Sequence, residues 1–298
     1  MKNDTHTTVL LHESVLGLNI SQGDTIIDAT LGLGGHSALL AEHVGPQGKV
    51  LGIDADKGAL MNAQRHLADL PQMCFALGNF RDIDQHADKA GIKTVDGILF
   101  DLGWNSTQLI SGRGFSFKAD EPLRMTYAVD TDDEQVTAET IVNEWSEDDL
   151  KEMIHTLGEE RFAGRIAQAI ITARRTAPIT HSVQLADIIT ESVPMFYRKG
   201  KINPATKTFQ ALRMMVNDEL SSIVEVLPKA LDMVRSGGRI AVITFHSLED
   251  GLVKRQFRTF EDNGVAVRIT KKPITPQAEE IKNNPRARSA KLRIIEKL

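Results

Sequence analysis

Apolar residues in the first hundred positions fall into short continuous runs separated by longer, periodic stretches. The runs at 25–29, 49–53, 73–77 and 96–100 have the length and make-up of strands covered on both faces. Between them, 36–44, 57–69 and 81–90 place apolar residues every three or four positions and predict helices. Asp56 stands where a side chain would cap the second of these. Strand–helix–strand alternation predicts an α/β fold with a parallel sheet and crossover helices.

After Asp101 the alternation stops. Residues 103–135 are rich in Gly, Ser, Thr and Asp and predict an extended loop. Helical patterns then follow one another without strands. One carries Leu150, Met153, Ile154 and Leu157 behind a capping box at Ser146–Asp149. A second carries Phe162, Ile166, Ala169, Ile170 and Ala173, and a third runs from Ser182 to Ser192 before Pro194. This predicts an all-helical insertion over 107–205, with 1–106 and 206–298 forming the α/β core. The periodic segment from Phe209 to Leu227 is expected to bend or restart at Pro228. Gly237-Gly238 closes it, Arg239–Phe245 predicts a buried strand and Leu252–Phe260 a helix. Val265–Thr270 and Lys291–Glu296 are expected to form an edge hairpin.

Candidate chemistry sits at the ends of the apolar runs. The run ending at Asp28 turns through Gly32, Gly34 and Gly35 into a helical stretch, and the next ends at Asp54. Asp54 lies about 20 residues past the glycines, the spacing at which an acid accepts hydrogen bonds from a ribose. A dinucleotide fingerprint would need a third glycine where Ser37 stands. An acid four residues before Gly32-Leu33-Gly34 resembles instead the first motif of class I S-adenosylmethionine methyltransferases. That cofactor has no pyrophosphate, so a third glycine is not demanded. A purely structural glycine turn is the competing reading. Asp101, ending the fourth run, would lie at the carboxyl edge of the sheet, where open α/β sheets bind ligands. A capping Asp is the alternative there.

Composition narrows the targets. The 298 residues carry a net charge of −5, which argues mildly against indiscriminate nucleic-acid binding while leaving local basic patches in play. Two such patches are Arg198, Lys199 and Lys201, and the run Arg286, Arg288, Lys291 and Arg293. Solvated charge is the competing reading for each. No apolar run approaches a membrane span, and the single cysteine excludes an internal disulfide and a cysteine-based zinc cluster; a cytoplasmic protein is expected. Cys74 lies inside an apolar run away from Asp101, which disfavours methylation at cytosine carbon 5, a reaction that begins with thiolate addition. Transfer to nitrogen or oxygen remains.

Longer motifs carry a closer resemblance. They include His6–Leu11, Asp28–Ser37, Asp96–Leu102, Arg113–Phe117, Ile141–Trp145, Gly158–Ala163, Thr208–Arg213, Val216–Leu220, Phe245–Asp250 and Asn284–Arg293. In this order they resemble the bacterial ribosomal RNA small subunit methyltransferase H family, the 16S rRNA cytosine-N4 methyltransferases. The resemblance implies a class I methyltransferase core, a Rossmann-like sheet with an inserted all-helical substrate-recognition domain. The implied substrate is a decoding-centre cytosine of 16S rRNA within the small ribosomal subunit. Carried over by position, Gly34, Gly35, His36, Asp54, Phe80, Asp101 and Gln108 would contact S-adenosyl-L-methionine.

Two segments depart from the family pattern: Gly103–Leu109, where the family has G-V-S-S-P-Q-L, and Glu121–Tyr127, where it has G-P-L-D-M-R-M. For the reaction itself, Asp101 is the candidate acceptor of the amine hydrogens, with Asn105 or Ser106 assisting. His246 would take a proton or bind phosphate, or would simply cap a helix. Arg113, Arg213, Arg286, Arg288 and Lys291 are the candidate RNA contacts, and no residue is assigned to a metal. A non-catalytic ribosome assembly factor and a nicotinamide-dependent oxidoreductase are the rival classes. The oligomeric state stays open, a homodimer included.

Overall fold

In the computed structural model, which describes residues 7–103, 111–127 and 136–298, the chain divides into two compact units. One comprises Met1–Asn105 with Leu220–Leu298, the other Ser106–Glu219.

In the first unit, helix α1 (Leu11–Gly17) precedes β1 (Thr25–Asp28), α2 (Gly35–Val44), β2 (Lys49–Asp54), α3 (Lys57–His66) and β3 (Met73–Leu77). Then come α4 (Ile83–Lys89) and β4 (Val95–Asp101), within a residue or two of the sequence expectation at the strands. The second unit is helical: α5 (Ala138–Glu144), α6 (Glu147–Thr156), α7 (Ala163–Arg174), α8 (Ser182–Ser192), α9 (Met195–Arg198) and α10 (Ala205–Val216). The chain continues through α11 (Glu219–Met233), β5 (Val234–Thr244), α12 (Ser247–Asp262), β6 (Ala266–Arg268), α13 (Ala278–Asn283) and β7 (Lys291–Lys297).

Among the described residues, seven strands form one sheet in the order β3-β2-β1-β4-β5-β7-β6. Neighbouring strands from β3 through to β5 pair in parallel, and β7 runs antiparallel to both β5 and β6. This is the class I methyltransferase arrangement, with the expected edge hairpin at β6 and β7. Alternation of side chains along each strand builds two cores. Ile27, Ile53, Ile98 and Val242 pack with α4, α11 and α12 through Ile83, Val226 and Phe257. Ile26, Val50, Leu99 and Ile243 pack on the opposite face with Val15 and with Leu40 and Val44 of α2. Strands covered on both faces explain why the sequence shows unbroken apolar runs instead of alternation.

The helical unit has its own core of Leu150, Ile154, Ile166, Ile170, Leu185 and Ile189, joined by Phe209 and Leu212 of α10. Its boundary therefore falls at Glu219 and not at 205, because the apolar stripe of α10 belongs to the helices before it. At the start of α6, Ser146 Oγ accepts from Asp149 N–H, and Asp149 takes the serine hydroxyl hydrogen with its carboxylate.

No helix restarts at Pro228, which lies within α11. The break comes earlier, at Asn217-Asp218, where Asp218 adopts φ +47° and the Asn217 side chain bonds the carbonyls of Met125 and Arg213. The carbonyl that Pro228 leaves without a helical donor belongs to Val224, an exposed residue that water can reach.

Candidate active site

β1 lies between β2 and β4: the chain winds outward from β1 through β2 to β3, then returns to β4 on the other side of β1, and this reversal opens a crevice at the carboxyl ends of these strands. Asp28, Asp54 and Asp101 are the last residues of β1, β2 and β4. The segment after β1 is stitched to both neighbours. Ala29 N–H donates to Leu99 O, Leu31 N–H to Ile53 O, and Asp101 N–H to Thr30 Oγ1 at 2.6 Å. Sequence reasoning misses Thr30; its only signal is a hydroxyl residue close behind the strand end.

Each acid is held differently. Asp28 is fully buried and accepts from Ser37 Oγ at 2.7 Å and Thr30 N–H at 3.2 Å, so it braces the glycine turn. Asp54 accepts from Gly32 N–H at 2.8 Å with one oxygen and from Asp56 N–H at 2.7 Å with the other. Each of these oxygens keeps a second lone pair for a ligand hydroxyl. Asp101 Oδ2 lies 3.7 Å from His36 Nδ1, and its Oδ1 is buried with no hydrogen-bond partner among the described residues. An unmatched buried carboxylate oxygen at a strand end marks where a ligand donor belongs.

Burial raises all three carboxyls. Asp28 is pushed up to about 6, hydrogen bonds from Ser37 and Thr30 opposing the rise. Asp54 is pushed up to about 7, against the backbone hydrogen bonds from Asp56 and Gly32 and with the help of nearby negative charge. Asp101 is pushed up to about 7 by burial first, then by Asp28; a backbone hydrogen bond from Gly103 opposes this and Glu249 adds to it. Three acids crowded in one crevice favour a cationic ligand, whose charge would stabilise their ionised forms.

The glycines divide by task. Gly34 caps α2 with φ +85°, and a Cβ there would stand 2.8 Å from Leu67. A Cβ on Gly35 would stand 2.0 Å from Thr8 Oγ1. These two therefore serve close packing against the protein's own side chains. At Gly32, with φ +54°, a Cβ would meet, among the described residues, only the Thr30 carbonyl oxygen, 3.9 Å away. The glycine beside open space is thus one that the sequence-based site assignment omits. His36 is buried in the first turn of α2. Phe80 follows β3 and packs edge-on against Phe100 at 5.9 Å, half-buried. The acids, the glycine turn, His36 and Phe80 all belong to the first unit, and they fit a nucleoside-bearing cation: ribose hydroxyls at Asp54, an aromatic face at Phe80 and negative charge at Asp101. Asn105, Ser106 and Gln108 lie outside the described residues.

Other expected residues are already engaged. His246 is the N-cap of α12: its Nδ1 accepts from Glu249 N–H, while buried Glu249 accepts from Phe245 and His246 N–H in return. Its Nε2 lies 3.0 Å from Glu249 Oε1 and has no hydrogen-bond partner among the described residues, so Nδ1 is the nitrogen that the cap occupies. Arg213 forms a two-pronged pair with Glu219, both bonds 2.8 Å, and each side chain is little exposed. Arg113 donates to the carbonyls of Thr126 and Tyr127 and lies over Phe115, clamping the segment that departs from the family pattern. Lys291 and Arg293 both bind Asp250, at 3.0 and 2.7 Å. Burial raises Asp250, yet these hydrogen bonds outweigh it and hold the acid below its ordinary range. Of the basic C-terminal run, Arg286 and Arg288 remain exposed on a short 3₁₀ turn at Pro285–Ser289.

The model of the MraW methylase family matches residues 3–298. A Ribosomal RNA small subunit methyltransferase H from Brevibacillus brevis is 41% identical over 312 aligned positions, covering 98% of each chain. The protein of the same name from Desulfosudis oleivorans is also 41% identical, covering 98% of this chain and 99% of its own. Among solved structures, an rRNA methylase from Streptococcus thermophilus is 14% identical with a TM-score of 0.47 and 98% of each chain covered.

Proposed function

The chain belongs to the MraW methylase family, and on that premise we propose that it methylates the N4 amine of a decoding-centre cytosine in 16S ribosomal RNA. The relatives at 41% identity bear the name of a small-subunit rRNA methyltransferase, which supports the rRNA half of this reading. The observation that carries it is the crevice at β1, β2 and β4, where Asp28, Asp54 and Asp101 surround the turn at Gly32.

When bound, S-adenosyl-L-methionine supplies an electrophilic methyl group on a positively charged sulfur. Asp54 would accept hydrogen bonds from the ribose hydroxyls, and Phe80 would offer a face to the adenine. Asp101 would supply negative charge toward the sulfonium and accept a hydrogen of the cytosine amine. That amine's lone pair is delocalised into the ring, so alignment and hydrogen bonding to its N–H groups are the protein's main levers. A methyl group passed from sulfur to N4 would leave that nitrogen cationic, with one proton to lose. Asp101, at the carboxyl end of β4, would be the group to receive it. Nitrogen is favoured over carbon 5 because Cys74 is the only cysteine. Its thiol lies 3.5 Å from Val50 O, and burial raises its pKa.

The test is to incubate undermethylated small subunits with isotopically methyl-labelled cofactor and map the label on rRNA by mass spectrometry. Label on N4 of one cytosine is the expected result. Label on carbon 5, on a ribose or on protein alone overturns it.

A further inference from the structure

The helical unit carries a surface that the methyl-transfer crevice does not use. The guanidinium carbon of Arg161 lies 4.7, 5.5 and 5.1 Å from the ring centres of Phe162, Phe196 and Tyr197. The inner side of this cluster is anchored. Glu160 is completely buried, its Oε2 accepts from the Tyr197 hydroxyl at 2.5 Å, and its Oε1 accepts from Phe162 N–H. The outer side is open: Phe196 is 68% exposed. Scattered exposed apolar residues are ordinary, but a ring held in a cluster of a cation and edge-on aromatic rings is a prepared surface.

Charge indicates what it is prepared for. From Met195 to Lys207 the chain carries Arg198, Lys199, Lys201 and Lys207 and no carboxylate, within a protein of net charge −5. Arg198 turns back to the carbonyls of Val193 and Glu191, and Lys207 to that of Glu159. Lys199 and Lys201 are exposed, three and five positions after Phe196 along the chain. Lysine is depleted in the cores of protein–protein interfaces, whereas aromatic faces flanked by cations are how proteins grip unpaired bases and their phosphates.

We propose that this surface is a platform for single-stranded RNA, on which an unpaired base stacks against Phe196 while Arg161, Lys199 and Lys201 meet the adjoining phosphates. The inference rests on the rRNA reading above and extends it to a second contact on the helical unit.

Phe196→Ala, Phe196→Trp and Lys199→Ala/Lys201→Ala test it in the full-length protein, by steady-state methylation of small subunits alongside calorimetric cofactor binding. Phe196→Ala should raise the KM for subunits about tenfold, since losing one base–aromatic stack costs about that factor. kcat and cofactor affinity should hold, and Phe196→Trp should restore KM. The lysine pair should raise KM and flatten its salt dependence. Unchanged KM in all variants at every salt concentration overturns the proposal. If the wild type methylates no rRNA, the methyltransferase reading has failed separately. Binding to a fluorescent single-stranded oligoribonucleotide still reads the platform in that case, and equal affinity of wild type and Phe196→Ala overturns it. Light scattering covers the remaining occupant: a wild-type dimer that Phe196→Ala converts to monomer, with RNA affinity unchanged, assigns the ring to a second copy and overturns the proposal.

Discussion

The backbone N–H of Gly32 donates to the carboxylate of Asp54 across 2.8 Å, tying the turn after β1 to the end of β2. Asp54 thus shapes the turn, and the ligand contact proposed for its remaining lone pairs is open to experiment.

Asp54→Ala should weaken S-adenosylmethionine binding by about 1.5–3 kcal/mol, the range for hydrogen bonds involving a charged group. It also leaves the N–H groups of Gly32 and Asp56 without their acceptor, so the ligand-free protein should melt differently as well. Calorimetry and thermal denaturation together check this, and unchanged affinity would remove Asp54 from the site.

Asp101→Ala should lower turnover by about 10²–10⁴, the range for a positioned acid–base group, while the chain stays folded. Its side chain is engaged by the Gly103 backbone N–H and lies 3.7 Å from His36, while its Oδ1 has no hydrogen-bond partner among the described residues. Single-turnover methylation measures the loss; wild-type rates in the variant would refute the assignment.

The raised carboxyls give a signed pH dependence. With folded values of about 7 against an ordinary value of 3.8, Asp54 and Asp101 hold protons in the folded state that the unfolded chain releases. They therefore stabilise the ligand-free fold less and less as pH climbs from about 4 to about 7, and the effect then levels off. Relative to wild type, Asp101→Asn should gain a few degrees of Tm, on the order of what 1–2 kcal/mol provides, with the gain growing across that window. A gain that is flat from pH 4 to 8 would contradict the buried-acid account. Cofactor binding should run the other way, with affinity for the sulfonium form falling about tenfold from pH 8 to 5 while the neutral demethylated product shows little change.

Arg213 and Arg286 with Arg288 separate structural from solvent-facing cations. Arg213→Ala strips a little-exposed Glu219 of its two-pronged partner, leaving it the Tyr127 hydroxyl, and should cost about 3 kcal/mol. Arg286→Ala/Arg288→Ala should leave Tm nearly unchanged, weaken subunit binding and lower the slope of log affinity against log salt by about 1.5. Melting curves and a salt series distinguish the two cases. An unshifted Tm for Arg213→Ala would return that residue to the RNA-binding candidates.

The strands ending at Asp28, Asp54 and Asp101, the glycine turn and the caps at Asp56 and Ser146 were legible along the chain, because each depends on residues within a few positions. Apolar period and turn chemistry act locally, so they survive being read one residue at a time. The availability of the charged groups was not legible. Lys291 and Arg293 read as a basic run until folding brings Asp250, 41 and 43 positions away, between them. The proximity of His36 to Asp101 and the bond from Asp101 N–H to Thr30 likewise join segments that only the sheet brings together. The helix break falls at Asn217 and not at Pro228 because a side chain bonding a distant carbonyl, that of Met125, outweighs the local signal of a proline. Chemistry is written in the residue type, but whether a group is free to act depends on which partners the packed chain places beside it.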